Sequence, residues 1–326
     1  MIEDIKNMPK IELHLHLDGS VNLDLASKLS NLPLETIKEK MVAKDKCQNL
    51  TEYLTKFDFP ISLMQTKENL IKIAKTLIQD LENDNVIYAE IRFAPMQHTN
   101  KSLSLDEVIL AILQGLKSPK VKTNLILCLM RNHDYETNLK VINLAEKYLN
   151  KGVCAIDLAG DEIKYDINNF QKLFKTAKEK HIPFTIHAGE TSSSTAVITA
   201  INYGAKRIGH GIKVVNDKPV KELIRQKDIL LEVCPTSNVQ TNVIDTYSHH
   251  PILKLYKENI PISINTDNRT VSNITLTEEY IKLYKNFNFT LNDFKQMNIM
   301  AINHAFITKE EKEDLIKIDE IDVTRE

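Results

Sequence analysis

Eight short apolar runs recur along this chain, and their rhythm constrains the fold more than any other feature. They are 11–17 (IELHLHL), 86–95 (VIYAEIRFAP), 124–130 (NLILCLM), 153–160 (VCAIDLAG), 183–190 (PFTIHAGE), 207–211 (RIGHG), 229–237 (ILLEVCPTS) and 262–267 (ISINTD). Nearly continuous apolar runs of this length read as strands covered on both faces, the condition of a parallel sheet. Most intervals hold Lys/Glu-rich segments of helical period, such as 138–151 and 168–180. Strand and helix in alternation predict an α/β fold, and eight units within 326 residues favour a (β/α)8 TIM-type barrel over an open sheet.

One interval breaks that rhythm. Residues 18–85 are mostly helical in character and include the Leu- and Phe-rich stretch TEYLTKFDFPISLMQ, 51–65. A connection of that length is extra structure and not slack. Because it leaves the C-terminal end of the first strand, it is expected to form a lid over the barrel mouth, where barrel active sites lie. No repeat, low-complexity tract or Gly/Pro linker divides the chain, so residues 1–326 are expected to form a single domain with the helical insertion inside it.

Charge and cysteine usage remove several function classes. With 42 basic and 44 acidic residues, no basic stripe invites a nucleic acid. Four cysteines lie far apart, with no CxxC pair, as in a reduced, cytoplasmic protein. The acidic start MIEDIKNMPK does not resemble a signal peptide, and no apolar run approaches the ~20 residues of a membrane span. The oligomeric state stays open, with a monomer compatible.

The first run contains an anomaly: His14 and His16 interrupt its leucines. In a strand, residues two apart share a face, so both imidazoles project together while Leu13, Leu15 and Leu17 face the other way. A single such His reads as a hydrogen-bonded core residue; a same-face pair also fits a shared divalent metal. Further ligand types recur at later strand ends: His187 and Glu190, then His210, then Asp267 and Asn268. Converging across a barrel, His14, His16, His187 and Asp267 would make an N3O set for one Zn2+. His98, His133, His181, His249, His250 and His304 lack such company and are expected to have surface or local hydrogen-bonding roles.

KIELHLHLDGS (10–20), DLAGDE (157–162), HAGE (187–190), RIGHG (207–211), CPTSN (234–238) and NTDN (265–268) together resemble the adenosine deaminase family, in order and over about residues 9 to 305. The resemblance implies a (β/α)8 barrel, one zinc ion, and conversion of adenosine or deoxyadenosine to the inosine product with release of ammonia. Carried over residue by residue, it makes His14, His16, His187 and Asp267 the zinc ligands. It makes Glu190 the proton donor and His210 the histidine beside the attacking hydroxide, with Asp267 sharing its orientation and deprotonation. Gly160 would meet the purine ring, Asp18 the ribose, and Asn268 purine N7. The chemistry is coherent: zinc lowers the pKa of water to about 7, and a neutral carboxylic acid at Glu190 could protonate N1. Glu190 as a partner to a ligating histidine is the other reading.

Two departures bear on substrate. Many relatives carry Asp where this chain has Asn268; an amide donates to N7 at any pH, so recognition is expected to survive. HLDG at 16–19, in place of the HLEG of adenine deaminases, leaves room for a ribose hydroxyl and favours a nucleoside over the free base. Methylthioadenosine and aminodeoxyfutalosine-type nucleosides stay open, as does the distant alternative of a non-catalytic nucleoside-binding barrel. The H-x-E and P-C-x-x-C pattern of nucleic-acid and cytidine deaminases is absent. In the lid, Leu54 and Phe57 are expected to line the purine and ribose pocket, the plainer reading being ordinary helix packing.

Overall fold

Every one of the eight runs overlaps a strand in the computed structural model, which describes residues 1–321. The strands are β1 (Lys10–His16), β2 (Val86–Phe93), β3 (Lys122–Met130), β4 (Val153–Ala159), β5 (Thr185–Ala188), β6 (Arg207–His210), β7 (Leu230–Val233) and β8 (Ile262–Ile264). All pair in parallel, in two sheets of four ordered by sequence, as a (β/α)8 plan requires.

The sheets meet at two seams. At one, Ile156 of β4 bridges Phe184, and its N–H donates to the Pro183 carbonyl at 3.1 Å. At the other, Leu15 of β1 bridges Asp267, with His16 N–H donating to Asp267 O at 2.8 Å and Asp267 N–H to His14 O at 3.0 Å. An amide side chain reinforces this seam: Asn265 Oδ1 accepts from the N–H groups of Leu13 and His14 at 2.9 and 3.1 Å. Those donors would otherwise be buried unpaired, which costs about as much as a lost hydrogen bond.

Strand ends fall short of the expected runs wherever the backbone turns left-handed or meets proline. Gly189 (φ 70°) follows β5, His210 (φ 62°) and Gly211 (φ 69°) close β6, and Asp267 (φ 62°) lies beyond β8. Residues 235–237, expected as strand, begin a short helix, Pro235–Gln240, because proline lacks the N–H a ladder needs and suits the first turn of a helix.

Between β1 and β2 lie helices Leu23–Ser30, Leu34–Met41, Leu50–Leu54, Asp58–Leu63 and Lys67–Asn83. The last is capped by Thr66, whose hydroxyl accepts from Asn69 N–H, and it buries Leu70, Ile73, Ala74, Leu77, Ile78 and Leu81 at three- and four-residue spacing. Among the described residues, no helix is long and apolar enough to cross a membrane.

Candidate active site

The β1 seam that joins the sheets also assembles the central cluster. His14 and His16 come from β1, His187 from β5, and Asp267 is brought beside them by its backbone bonds to β1. One donor atom from each lies within 4.8 Å of all the others. Asp267 Oδ1 is 3.3 Å from His14 Nε2 and 3.4 Å from His16 Nε2. Its second oxygen accepts from Ser237 Oγ at 2.7 Å.

A set of buried ions orients the imidazoles from behind. His14 Nδ1 meets Glu232 Oε2 at 2.9 Å, and His187 Nδ1 meets Asp157 Oδ2 at 2.8 Å. Arg92 spans both carboxylates at 2.8 and 3.0 Å, and Arg207 pairs with Glu232 and Glu90 at 2.6 Å each. Burial alone would push the Glu232 carboxyl up, but Arg92 and Arg207 outweigh it and hold it well below the usual range. An ionised carboxylate fixes each imidazole proton on Nδ1 and turns Nε2 forward. His14 Nε2 is buried and has no hydrogen-bond partner in the protein. A lone pair left so at the convergence of three imidazoles and a carboxylate fits a borderline-soft divalent metal.

Glu190 follows β5, on a loop clamped by Glu162, whose side chain accepts from the N–H groups of Gly189 and Ser192 at 3.0 and 3.1 Å. Glu190 is buried, and burial raises its carboxyl above the ordinary range. Its Oε1 accepts from Asn238 Nδ2 at 3.3 Å, with Thr241 Oγ1 3.2 Å away, and Oε2 lies 3.7 Å from His210 Nε2.

A cavity of about 350 Å³ opens onto this cluster and is lined by His16, Asp18, Leu54, Phe57, Gly160, His187, Glu190, His210, Asp267 and Asn268. Only His14 of the residues singled out from sequence stands behind the wall. Asp18 is buried with Oδ1 unpartnered, and burial lifts its carboxyl to about 7. Gly160 adopts φ 108°, which a side chain would strain, and so presents bare backbone to the cavity. Leu54 and Phe57 are half-buried; Phe57 both lines the cavity and packs against the small lid core around Tyr53.

Neither His98 nor His250 is a surface residue. His98 is fully buried, near the Phe93 ring at 5.7 Å between centroids, and His250 is buried in the local hydrogen-bonding role that was the other expectation, accepting from Ile252 N–H at 3.2 Å. His250 Nε2 lies 3.2 Å from Asn238 Oδ1, which places it behind Glu190 and His210. Tyr53 went unnoticed in the sequence: its hydroxyl accepts from Asn268 Nδ2 at 3.0 Å and lies 2.6 Å from Ser272 Oγ. Arg92, Asp157 and Glu232 went unnoticed as well, although each is an ionisable residue inside an apolar strand, the same signal that exposed His14 and His16.

Comparison with known proteins places the chain in a family. Residues 9–323 match the family model described as adenosine deaminase. An adenosine deaminase of Clostridium botulinum is 43% identical over 327 residues, covering 96% of this chain and 99% of the relative. Among solved structures, the N6-methyl-AMP deaminase of Arabidopsis thaliana superposes with a TM-score of 0.87 at 25% identity, covering 98% of each chain. An amidohydrolase of Burkholderia ambifaria with bound Zn shares the fold, with a TM-score of 0.88 at 21% identity, over 99% of this chain and 94% of its own. The chain belongs to the adenosine deaminase family and is an aminohydrolase.

Proposed function

We propose that the chain hydrolyses adenosine and 2'-deoxyadenosine to inosine and 2'-deoxyinosine with release of ammonia, using one zinc ion, as a cytoplasmic step of purine salvage. The observation that carries this reading is the pairing of a four-residue cluster, in which the buried His14 Nε2 makes no hydrogen bond, with a burial-raised carboxyl at Glu190 on the same cavity.

His14, His16, His187 and Asp267 would hold the metal. When bound, it supplies a nucleophile at neutral pH by acidifying water. The chain's own groups do the rest. Glu190, neutral through burial, donates its proton to purine N1, which makes C6 electrophilic. Asp267 accepts one proton of the attacking water, which His210 orients, and passes it to the 6-amino group, which leaves as ammonia. The remaining hydroxyl proton returns to Glu190 as the C6 carbonyl forms. Asn268 donates to N7, Gly160 lets its backbone approach the ring, and Asp18 accepts from a ribose hydroxyl. Leu54 and Phe57 cover the base and exclude solvent.

The test is the ultraviolet change on adding adenosine to purified protein, before and after chelation and after zinc is restored. Adenine, methylthioadenosine and N6-methyl-AMP run beside it, the last because the Arabidopsis neighbour bears that name. Turnover of adenosine that vanishes on chelation and returns with zinc supports the reading. Turnover of one of the others, with adenosine inert, would move the substrate and leave the metal cluster standing.

A further inference from the structure

Behind Glu190 and His210 runs a chain of hydrogen bonds that the reaction scheme does not use. It begins at a donor of fixed direction: the Ile252 N–H lies 3.2 Å from His250 Nδ1. A backbone N–H can only donate, so Nδ1 of His250 carries the lone pair and Nε2 the proton. That Nε2–H points at Asn238 Oδ1 at 3.2 Å, which decides which end of the Asn238 amide is oxygen. The amide nitrogen then faces both His210 Nδ1, at 3.1 Å, and Glu190 Oε1, at 3.3 Å, with one hydrogen for each. All four side chains are buried, His250 and Glu190 at 3% exposure, His210 at 1% and Asn238 at 0%, so bulk water does not compete for these positions.

We propose that His250 and Asn238 are positioning residues that set where the protons sit in the reaction centre: His250 locks the Asn238 amide, which holds His210 as its Nε2–H tautomer and Glu190 as an acid protonated on Oε2. This rests on the roles proposed above for Glu190 and His210. In this arrangement His210 presents a donor to the attacking oxygen and has no free lone pair facing it, so Asp267 is the group that takes the proton. Burial supports the scheme by pushing His250 down to about 3, which keeps it neutral in working conditions.

The experiment is an imidazole 15N–1H correlation spectrum of [15N]histidine-labelled, zinc-loaded protein near neutral pH, with His210 and His250 assigned from single variants. Both are expected as neutral Nε2–H tautomers. His250→Phe removes the lock and frees the amide to turn. The His210 signals should then shift toward the Nδ1–H form, and kcat for adenosine should fall about 10–100-fold, the usual penalty for losing an orienting partner. KM should stay within about threefold, because the cavity wall is untouched. His250→Gln, whose amide can accept from Ile252 N–H and donate to Asn238, should restore both tautomer and most of kcat. If His250→Phe fails to fold, Asn238→Asp reads the same point, since a carboxylate facing His210 Nδ1 demands a proton there. An Nδ1–H His210 in the unaltered protein would overturn the proposal. So would an unchanged His210 spectrum and kcat in a folded variant with its zinc retained. The spectrum reports tautomers whatever the substrate, so the predicted tautomers in a protein inert toward adenosine would count against the substrate reading alone.

Discussion

Two sets of buried ionisable groups touch in this molecule and are built on opposite plans. In the first, Arg92, Arg207, Glu90, Asp157 and Glu232, every charge meets an opposite charge at 2.6–3.0 Å. In the second, three imidazoles crowd within 5.4 Å between ring centroids around one carboxylate, Asp267, whose Oδ1 stands 3.3 and 3.4 Å from His14 and His16 Nε2, and Asp18 Oδ1 has no partner. Closed pairing marks a scaffold. Convergent polar atoms that outnumber their shared carboxylate mark a place prepared for something else, and the first set keeps the second in register.

The sharpest way to separate the two plans is Glu190→Gln. It removes the proposed proton donor while keeping shape, and it relieves a buried carboxyl of any need to ionise. Activity toward adenosine should fall about 10²–10⁴-fold, with urea stability unchanged or raised; retained kcat would end the assignment.

Arg92→Leu should do the reverse. Stripping Asp157 and Glu232 of their shared partner should cost about 3–5 kcal/mol in urea denaturation. Zinc affinity by chelator competition should weaken about 10–100-fold, because His14 and His187 lose their orientation. Full stability in that variant would show that the charged set is not a scaffold.

Smaller effects belong to the cavity wall. Asn268→Ala should lower kcat/KM for adenosine about tenfold, the worth of one hydrogen bond. Phe57→Ala should raise KM about fivefold through lost apolar contact, near 1 kcal/mol. An unchanged KM would return Phe57 to simple lid packing.

The least visible change at neutral pH is the acid response of His250. Its folded-state value near 3 lies below the ordinary 6.5, so the unfolded chain binds the extra proton across that window. The neutral imidazole's contribution is therefore fully present above about pH 6.5 and is lost as pH falls toward 3. In thermal melts, the deficit of His250→Gln relative to the unaltered protein should shrink between pH 7 and 4. A constant offset would show that His250 is not held neutral.

How much of this was legible beforehand depended on whether a residue announces itself along the chain. All eight strands did, because a strand covered on both faces is mostly apolar, even where single ionisable residues interrupt it. His14 and His16 did, because a strand's period puts them on one face. Residues 235–237 did not, because the local run looks β-like until Pro235 is weighed as a helix start. His250 and Asn238 did not, because their partnership spans a loop, and neither sits in an apolar strand where a polar side chain would stand out. Tyr53 was hidden by a helical context in which an aromatic reads as packing, and its contact with Asn268 joins positions 215 apart in sequence. Local pattern exposes the elements and the residues that violate them; it is silent on polar pairs made by loops.

The left-handed backbone at His210 and Asp267, each near φ 62°, has a consequence for laboratory evolution. A side chain held there costs on the order of 1 kcal/mol that glycine would not incur. A library of these two positions sorted only for heat tolerance should therefore enrich glycine, and each winner would have discarded one of the groups proposed to act in the reaction. Sorting for turnover should restore His and Asp at the expense of melting temperature. At these two positions, robustness and chemistry select different alphabets.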